Sequence, residues 1–381
     1  MKKIITTLII SLVIAGCAGG LRGKSNLTPP TELDLTVPAT LVSQNWQIKT
    51  GSQTPKESNL RFYIADDGLG TLYIAGQKGV VTAIDRHNGQ KRWEVKTQSP
   101  LYTGISYSQG ILLVGTQDGY IEALSASNGA QVWRQKLLGV PAVPPVGNGQ
   151  LAIVRTLFGA VESFNLQDGS EEWAYLFPRS EFSVRGAAPP TFLNGNILIA
   201  GDTGTLSLIN AETGAEIWSR VLSQPQNGSY MGGLRDVDAA IIVSPQRIFV
   251  GQYLAGVTAL THDGRKLWQA GKGVYAGLAY TGESVISVER DSTMQALNAQ
   301  NGASVWQNLD LRGRNLTKPV IVRNRIVVGD FEGYVHVIDA TTGILQGTTK
   351  VGSTGFLWDI REIDGSVYLL DYSGTLYKVS I

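Results

Sequence analysis

The stretch AIDRHNGQKRW, Ala83 to Trp93, returns along the chain as ALSASNGAQVW (Ala123 to Trp133), SFNLQDGSEEW (Ser163 to Trp173), LINAETGAEIW (Leu208 to Trp218), ALTHDGRKLW (Ala259 to Trp268) and ALNAQNGASVW (Ala296 to Trp306). A seventh copy, VIDATTGILQG (Val337 to Gly347), keeps the turn and lacks the Trp. Two residues after the first position there is always a side-chain oxygen: Asp85, Ser125, Asn165, Asn210, Thr261, Asn298 and Asp339. A short acceptor of this kind bonds the backbone a few residues on, and the Gly that follows, from Gly89 to Gly343, takes φ > 0 where the chain reverses. The Trp four residues after the Gly then lies on the strand that leaves the turn. The repeat length of about 40 to 50 residues is that of a propeller blade rather than of a helical array.

A repeat that runs through nearly all of the 381 residues argues for one closed domain rather than two or three. Only 17% of residues are charged and the net charge is +1, so the chain lacks the basic field that nucleic-acid binding needs.

From about Leu60 each unit reads as four short strands. In the fourth unit these are APPTF (Ala188 to Phe192), ILIAG (Ile197 to Gly201), TLSLIN (Thr205 to Asn210) and EIWSRV (Glu216 to Val221), separated by hairpin signals. Second and third strands are near-continuous apolar runs, as expected where neighbouring blades cover both faces. First strands are expected near Leu60, Tyr102, Pro141, Ala187, Asp238, Tyr275, Thr317 and Leu357, which makes eight units, and the eighth ends at Ile381 after its third strand. LVSQNWQI, Leu41 to Ile48, supplies the missing fourth strand and with it Trp46. The expected fold is therefore all-β: an eight-bladed propeller of four-stranded antiparallel blades over residues 42–381, its ring closed by an N-terminal strand that hides an open edge. Seven blades with a stray N-terminal strand is the other arrangement the count allows.

Ahead of the repeats, Lys2 and Lys3 precede an apolar run from Ile4 to Ala15, too short for a mature span and laid out as a secretory signal over residues 1–16. Ile14-Ala15-Gly16-Cys17 resembles a bacterial lipobox, which implies acylation at Cys17, the only Cys in the chain. Three acyl chains would anchor the protein stably where one would not. Ala18 stands where an Asp would signal inner-membrane retention, so the expected location is the outer membrane, facing the periplasm. Residues 17–41, rich in Gly, Pro and polar groups, read as a flexible tether.

Chemistry is thin. His87 and His262 occupy equivalent turns and His336 a strand, which suits structural roles. The glycine-rich GNGQLA (Gly147 to Ala152) and GKGVYA (Gly271 to Ala276) open no helix and read as hairpin turns. No calcium-loop spacing is present and no cofactor is expected. Two loops depart from the repeat: PRSEFSVRGAAP (Pro178 to Pro189), with Phe182 and Val184 beside Arg185, and NGSYMGGLRDVDAA (Asn227 to Ala240), which carries Asp236 and Asp238. Apolar groups next to an Arg on a loop have the composition of a protein-contact hot spot. The residues leave a second arrangement open, in which Phe182 and Val184 tuck under a blade and Arg185 pairs with an Asp.

Together the lipobox, the tether, the eight Trp-repeat units and the elements F-S-V-R-G and D-V-D resemble the BamB family, lipoprotein subunits of the β-barrel assembly machinery of Gram-negative outer membranes. The resemblance covers the whole mature chain. It implies a non-enzymatic scaffold that binds the periplasmic POTRA region of BamA through Phe182, Val184, Arg185, Asp236 and Asp238, and assists insertion of outer-membrane proteins. The family often carries Leu where this chain has Phe182 and Val184. Two other functions fit the repeat: a quinoprotein-like periplasmic oxidoreductase, whose family shares the A-x-D-x-x-x-G-x-x-x-W pattern, and a propeller that binds a saccharide or cell-wall ligand.

Overall fold

The computed structural model describes residues 29–34, 36, 41–51, 64–157, 159–177, 188–201, 204–222 and 241–381. Each copy of the repeat folds as the turn between the third and fourth strands of a blade. In the first, Asp85 Oδ1 accepts the N–H groups of His87 (2.9 Å) and Asn88 (3.2 Å), and Gly89, at φ 74°, donates its own N–H to the Asp85 carbonyl. Asn165, Asn210, Asn298 and Asp339 accept from the same two backbone positions.

Beyond the turn the fourth strand holds one extra residue. Ala83 faces Trp93 and Ile84 faces Lys91, which leaves Arg92 in a bulge. The same register shift recurs in all eight blades. A bulge re-aims the side chain beside it, and here that side chain is the Trp. Each of the seven Trp at this position lies against the turn Gly of the next blade, from Trp46 on Gly89 and Trp93 on Gly129 through to Trp306 on Gly343. A Cβ at any of the seven glycines would stand 2.5 to 3.0 Å from a ring atom. Five of the indoles, those of Trp93, Trp133, Trp173, Trp268 and Trp306, also donate Nε1–H to a carbonyl beside that turn at 2.9 to 3.1 Å.

The blades are four-stranded antiparallel sheets: blades 1 to 7 span residues 64–96, 101–136, 146–176, 191–221, 241–270, 277–308 and 320–350. Blade 8 combines Arg361–Ile363, Ser366–Leu370 and Thr375–Ser380 with the N-terminal strand Ser43–Lys49. The closing pair runs from Ser43 opposite Ser380 to Lys49 opposite Thr375, with Lys378 facing Trp46. The eight-bladed fold with N-terminal closure is as the sequence indicates. It also accounts for the Trp missing from the seventh copy: the partner of Gly347 would be a turn between the third and fourth strands of blade 8, and those strands, Thr375–Ser380 and Ser43–Lys49, are not joined by a turn.

The core is a ring of interblade clusters rather than a centre. Tyr73, Leu101, Ile105 and Leu112 join blades 1 and 2, and Ile64, Leu72 and Ile74 meet Leu357, Tyr368 and Leu370 where blade 8 closes on blade 1. Second strands such as Thr71–Ala75 and Ile111–Thr116 are buried at every position, while the fourth strand Lys91–Lys96 alternates with solvent.

First strands begin later than the sequence suggests in most blades. In blade 3 only Val146–Gly147 pairs, with an isolated bridge from Pro141 to Thr156, because Pro144 and Pro145 have no N–H to give the ladder. In blade 8 the strand starts at Arg361 after a bridge from Phe356 to Asp371. Gly147 to Ala152 includes a hairpin turn as expected, but Gly271 to Ala276 is the connection from blade 5 to blade 6. His336 is fully buried and bonds Thr348 Oγ1 (3.1 Å) and Asp330 Oδ2 (3.2 Å), and His262 Nε2 bonds the Ser244 carbonyl (2.9 Å).

Candidate partner-binding face

Antiparallel blades put two kinds of connection on each face of the ring. One face carries the turns between second and third strands together with the links from each fourth strand to the next blade. Of the eight such links between blades, residues 222–240 are the longest, and residues 177–190 are matched in length by residues 50–63, which lead from blade 8 to blade 1. Residues 177–190 and 222–240 leave neighbouring junctions, blade 3 to 4 and blade 4 to 5, on this one face. Phe182, Val184, Arg185, Asp236 and Asp238 belong to these two links and lie outside the described residues, as does Cys17.

The strands that lead into the links are described, and they carry a signal the sequence reading missed. Three residues after the Trp position, blades 1, 2, 7 and 8 have exposed lysines: Lys96, Lys136, Lys350 and Lys49. At the same place blade 3 has Leu176, 69% exposed, and blade 4 has Val221, 60% exposed, each immediately before a long link. Leu309 takes this place in blade 6. The turn between the second and third strands of blade 3 reads T-L-F-G-A where blade 2 has T-Q-D-G-Y, and it leaves Leu157 39% exposed. Leu157 N–H bonds the Val140 carbonyl in the link from blade 2, where Leu138 is 62% exposed. Single exposed aliphatics are ordinary; several on one face beside long links make that face a candidate contact surface. The signal was present in the sequence as Leu and Val at a place where other copies carry Lys.

Beneath Leu138 lies a carboxylate that no cation among the described residues pairs with. Glu162, 2% exposed, accepts the Leu138 N–H with both oxygens (3.2 and 3.0 Å). Burial pushes its carboxyl up to about 7, against the opposing pull of that hydrogen bond, and nearby Glu171 adds to the rise. The equivalent Glu122 of blade 2 faces Arg134, whose Nε bonds it at 2.9 Å, whereas Glu162 faces Ala174. Among the described residues no group of three or more His, Cys, Asp or Glu side chains is placed to hold a metal ion.

A family model described as outer membrane protein assembly factor BamB matches residues 77–308 and 255–362. The outer membrane protein assembly factor BamB of Pseudomonas aeruginosa is 34% identical over 376 residues, covering 98% of this chain and 97% of that one. With the protein of the same name from Escherichia coli (strain K12) the match is 31% identical over 199 residues, so the chain spans about half of that relative's length, 51%. The crystal structure of BamB from Moraxella catarrhalis superposes with a TM-score of 0.81 over 89% of this chain and 100% of that one; at 24% identity this likeness speaks for the fold. On the near full-length relative and the family model, this chain belongs to the family of outer membrane protein assembly factor BamB.

Proposed function

We propose that the chain is a lipid-anchored scaffold of the β-barrel assembly machinery, which holds the periplasmic POTRA region of BamA on the face described above and so assists insertion of outer-membrane proteins. Its family is one of assembly factors rather than enzymes. In this reading residues 1–16 are the signal, Cys17 is acylated, residues 17–41 are the tether and residues 42–381 are the body, anchored to the outer membrane and facing the periplasm.

The observation that carries the reading is that exposed Leu176 and Val221 stand where other blades have Lys, at two neighbouring strand ends that each lead into a long link. Interfaces are depleted in lysine and charge at their centre and enriched in apolar anchors with Arg. In this reading Phe182 and Val184, which follow Leu176 in the sequence, are the apolar anchors, and Arg185, Asp236 and Asp238 are the charges that fix register with the partner. The test is a pull-down of the tagged full-length protein from native outer membranes. BamA is expected to co-isolate with it, and Cys17→Ser is expected to leave the protein unacylated and out of the outer-membrane fraction. Recovery without BamA, or an unchanged membrane fraction for Cys17→Ser, contradicts the two parts of the reading respectively.

A further inference from the structure

On the same face, at blades 6 and 7, a piece of the tether is seated on the body. Thr31 donates its N–H to the Arg312 carbonyl (2.8 Å), and Arg314 Nη1 donates to the Thr31 carbonyl (3.1 Å), so this one residue is held at both its backbone groups. Arg314 is built for the purpose. It is 3% exposed, its Nε bonds Asp330 Oδ2 at 2.7 Å, it pairs with Glu332, and Asp330 is itself fully buried against His336. Two residues on, Leu33 packs into the cluster of Leu311 and Leu316 between blades 6 and 7. Two residues back, Pro29 and Pro30 form one wall of a cavity of about 1040 Å³ whose other walls include Tyr253, Tyr275 and Phe331. A Pro-Pro pair is pre-extended and loses little entropy on docking, and extended proline segments are commonly received by aromatic walls with hydrogen bonds to their carbonyls.

We propose that residues 29–34 are a strap that docks here and sets how the propeller hangs from the membrane; the membrane part of this claim rests on acylation at Cys17. From Cys17 to Thr31 an extended chain reaches ~50 Å at most, against ~90 Å from Cys17 to the closing strand at Ser43. Docking thus roughly halves the reach. It also moves the point of suspension from the edge of blade 8 to the junction of blades 6 and 7 on the partner-binding face, leaving the junction of blades 2 and 3 across the ring farthest from the lipid.

The test uses full-length protein in phospholipid vesicles carrying a headgroup quencher, with a fluorophore at Leu309→Cys or, across the ring on the same face, at Leu138→Cys. The strap is released by Thr31→Pro with Leu33→Asp; neither residue belongs to a blade, and an unchanged melting temperature checks that the body is intact. Docking predicts that the Thr31 amide exchanges at least about tenfold slower than free chain. It predicts further that the Leu309 label is quenched more strongly than the Leu138 label, a difference lost in the released variant. Exchange of Thr31 at the free-chain rate overturns the docked strap, and equal quenching of the two labels in the unaltered strap overturns the suspension. Mass spectrometry of the Cys17 peptide reports acylation separately, and the exchange measurement stands without it, so failure of the anchor and failure of the strap are told apart.

Discussion

Gly169 and Gly110 have nearly the same backbone, φ 74° and 81°, in different surroundings: a Cβ at Gly169 would meet the Trp133 ring at 2.6 Å, and one at Gly110 would meet nothing within 4 Å. Alanine at either position bears a left-handed backbone cost of about 1 kcal/mol. Gly169→Ala is expected to lose at least a further ~1 to 3 kcal/mol of overpacking, because ring and turn are both fixed. Urea denaturation of the two variants measures the difference, and equal losses would mean that the ring does not hold the turn. The sequence discloses the need for φ > 0 but not the ring above it, since the Trp sits in the previous blade about 40 residues earlier. Glu162 gives the pH prediction. Its folded pKa, about 7, lies above the ordinary 4.5, so the stability it contributes is fully present below about 4.5 and is lost as pH rises through about 7. Glu162→Gln should therefore melt higher than the parent at pH 8 and lose that advantage by pH 5. Ala174→Arg, which puts a guanidinium where Arg134 faces Glu122 in blade 2, should recover part of the same gain. Parallel melting curves of parent and Glu162→Gln across pH 5 to 8 would contradict a buried carboxylate with a raised pKa.

The closing strand Ser43–Lys49 was legible as an element, because Trp46 stands before any complete unit and blade 8 ends one strand short. Its bulge was not. That Lys378 faces Trp46 and Val379 faces Gln44 depends on pairing across nearly the whole chain, and no local pattern encodes it. The short first strands were placed too early for a related reason: Pro141, Pro144 and Pro145 lie in a stretch that enters blade 3 without forming most of its ladder. Deletion of residues 18–38 removes the strap and leaves every blade whole, so the melting temperature should change little. Deletion through Ile48 exposes the edge of Thr375–Ser380 and removes Trp46 from Gly89, a loss of at least the ~3 to 5 kcal/mol of a buried Trp. Equal melting temperatures for the two truncations would reject the N-terminal strand as the closure of the ring.

At the scale of the whole molecule, seven Trp seats and eight interblade clusters make the ring a rigid platform, and function falls to what departs from the repeat. The two departures in the sequence, F-S-V-R-G and D-V-D, belong to two long links at neighbouring junctions, blade 3 to 4 and blade 4 to 5. Leu176 and Val221 beside them are unremarkable as single apolar residues at strand ends until the register shows Lys at the same place in other blades, and Leu157 stands where blades 1 and 2 have Gln77 and Gln117. The central claim is that this face, and not the ring as such, holds the partner. A binding titration of the purified body against the POTRA region of BamA tests it most directly, with melting temperature measured on every variant. Arg185→Ala and Asp238→Ala should each weaken binding roughly thirtyfold or more, the cost of leaving one member of a buried charge pair alone, at unchanged stability. Wild-type affinity in both variants, or affinity that falls only as melting temperature falls, would contradict it.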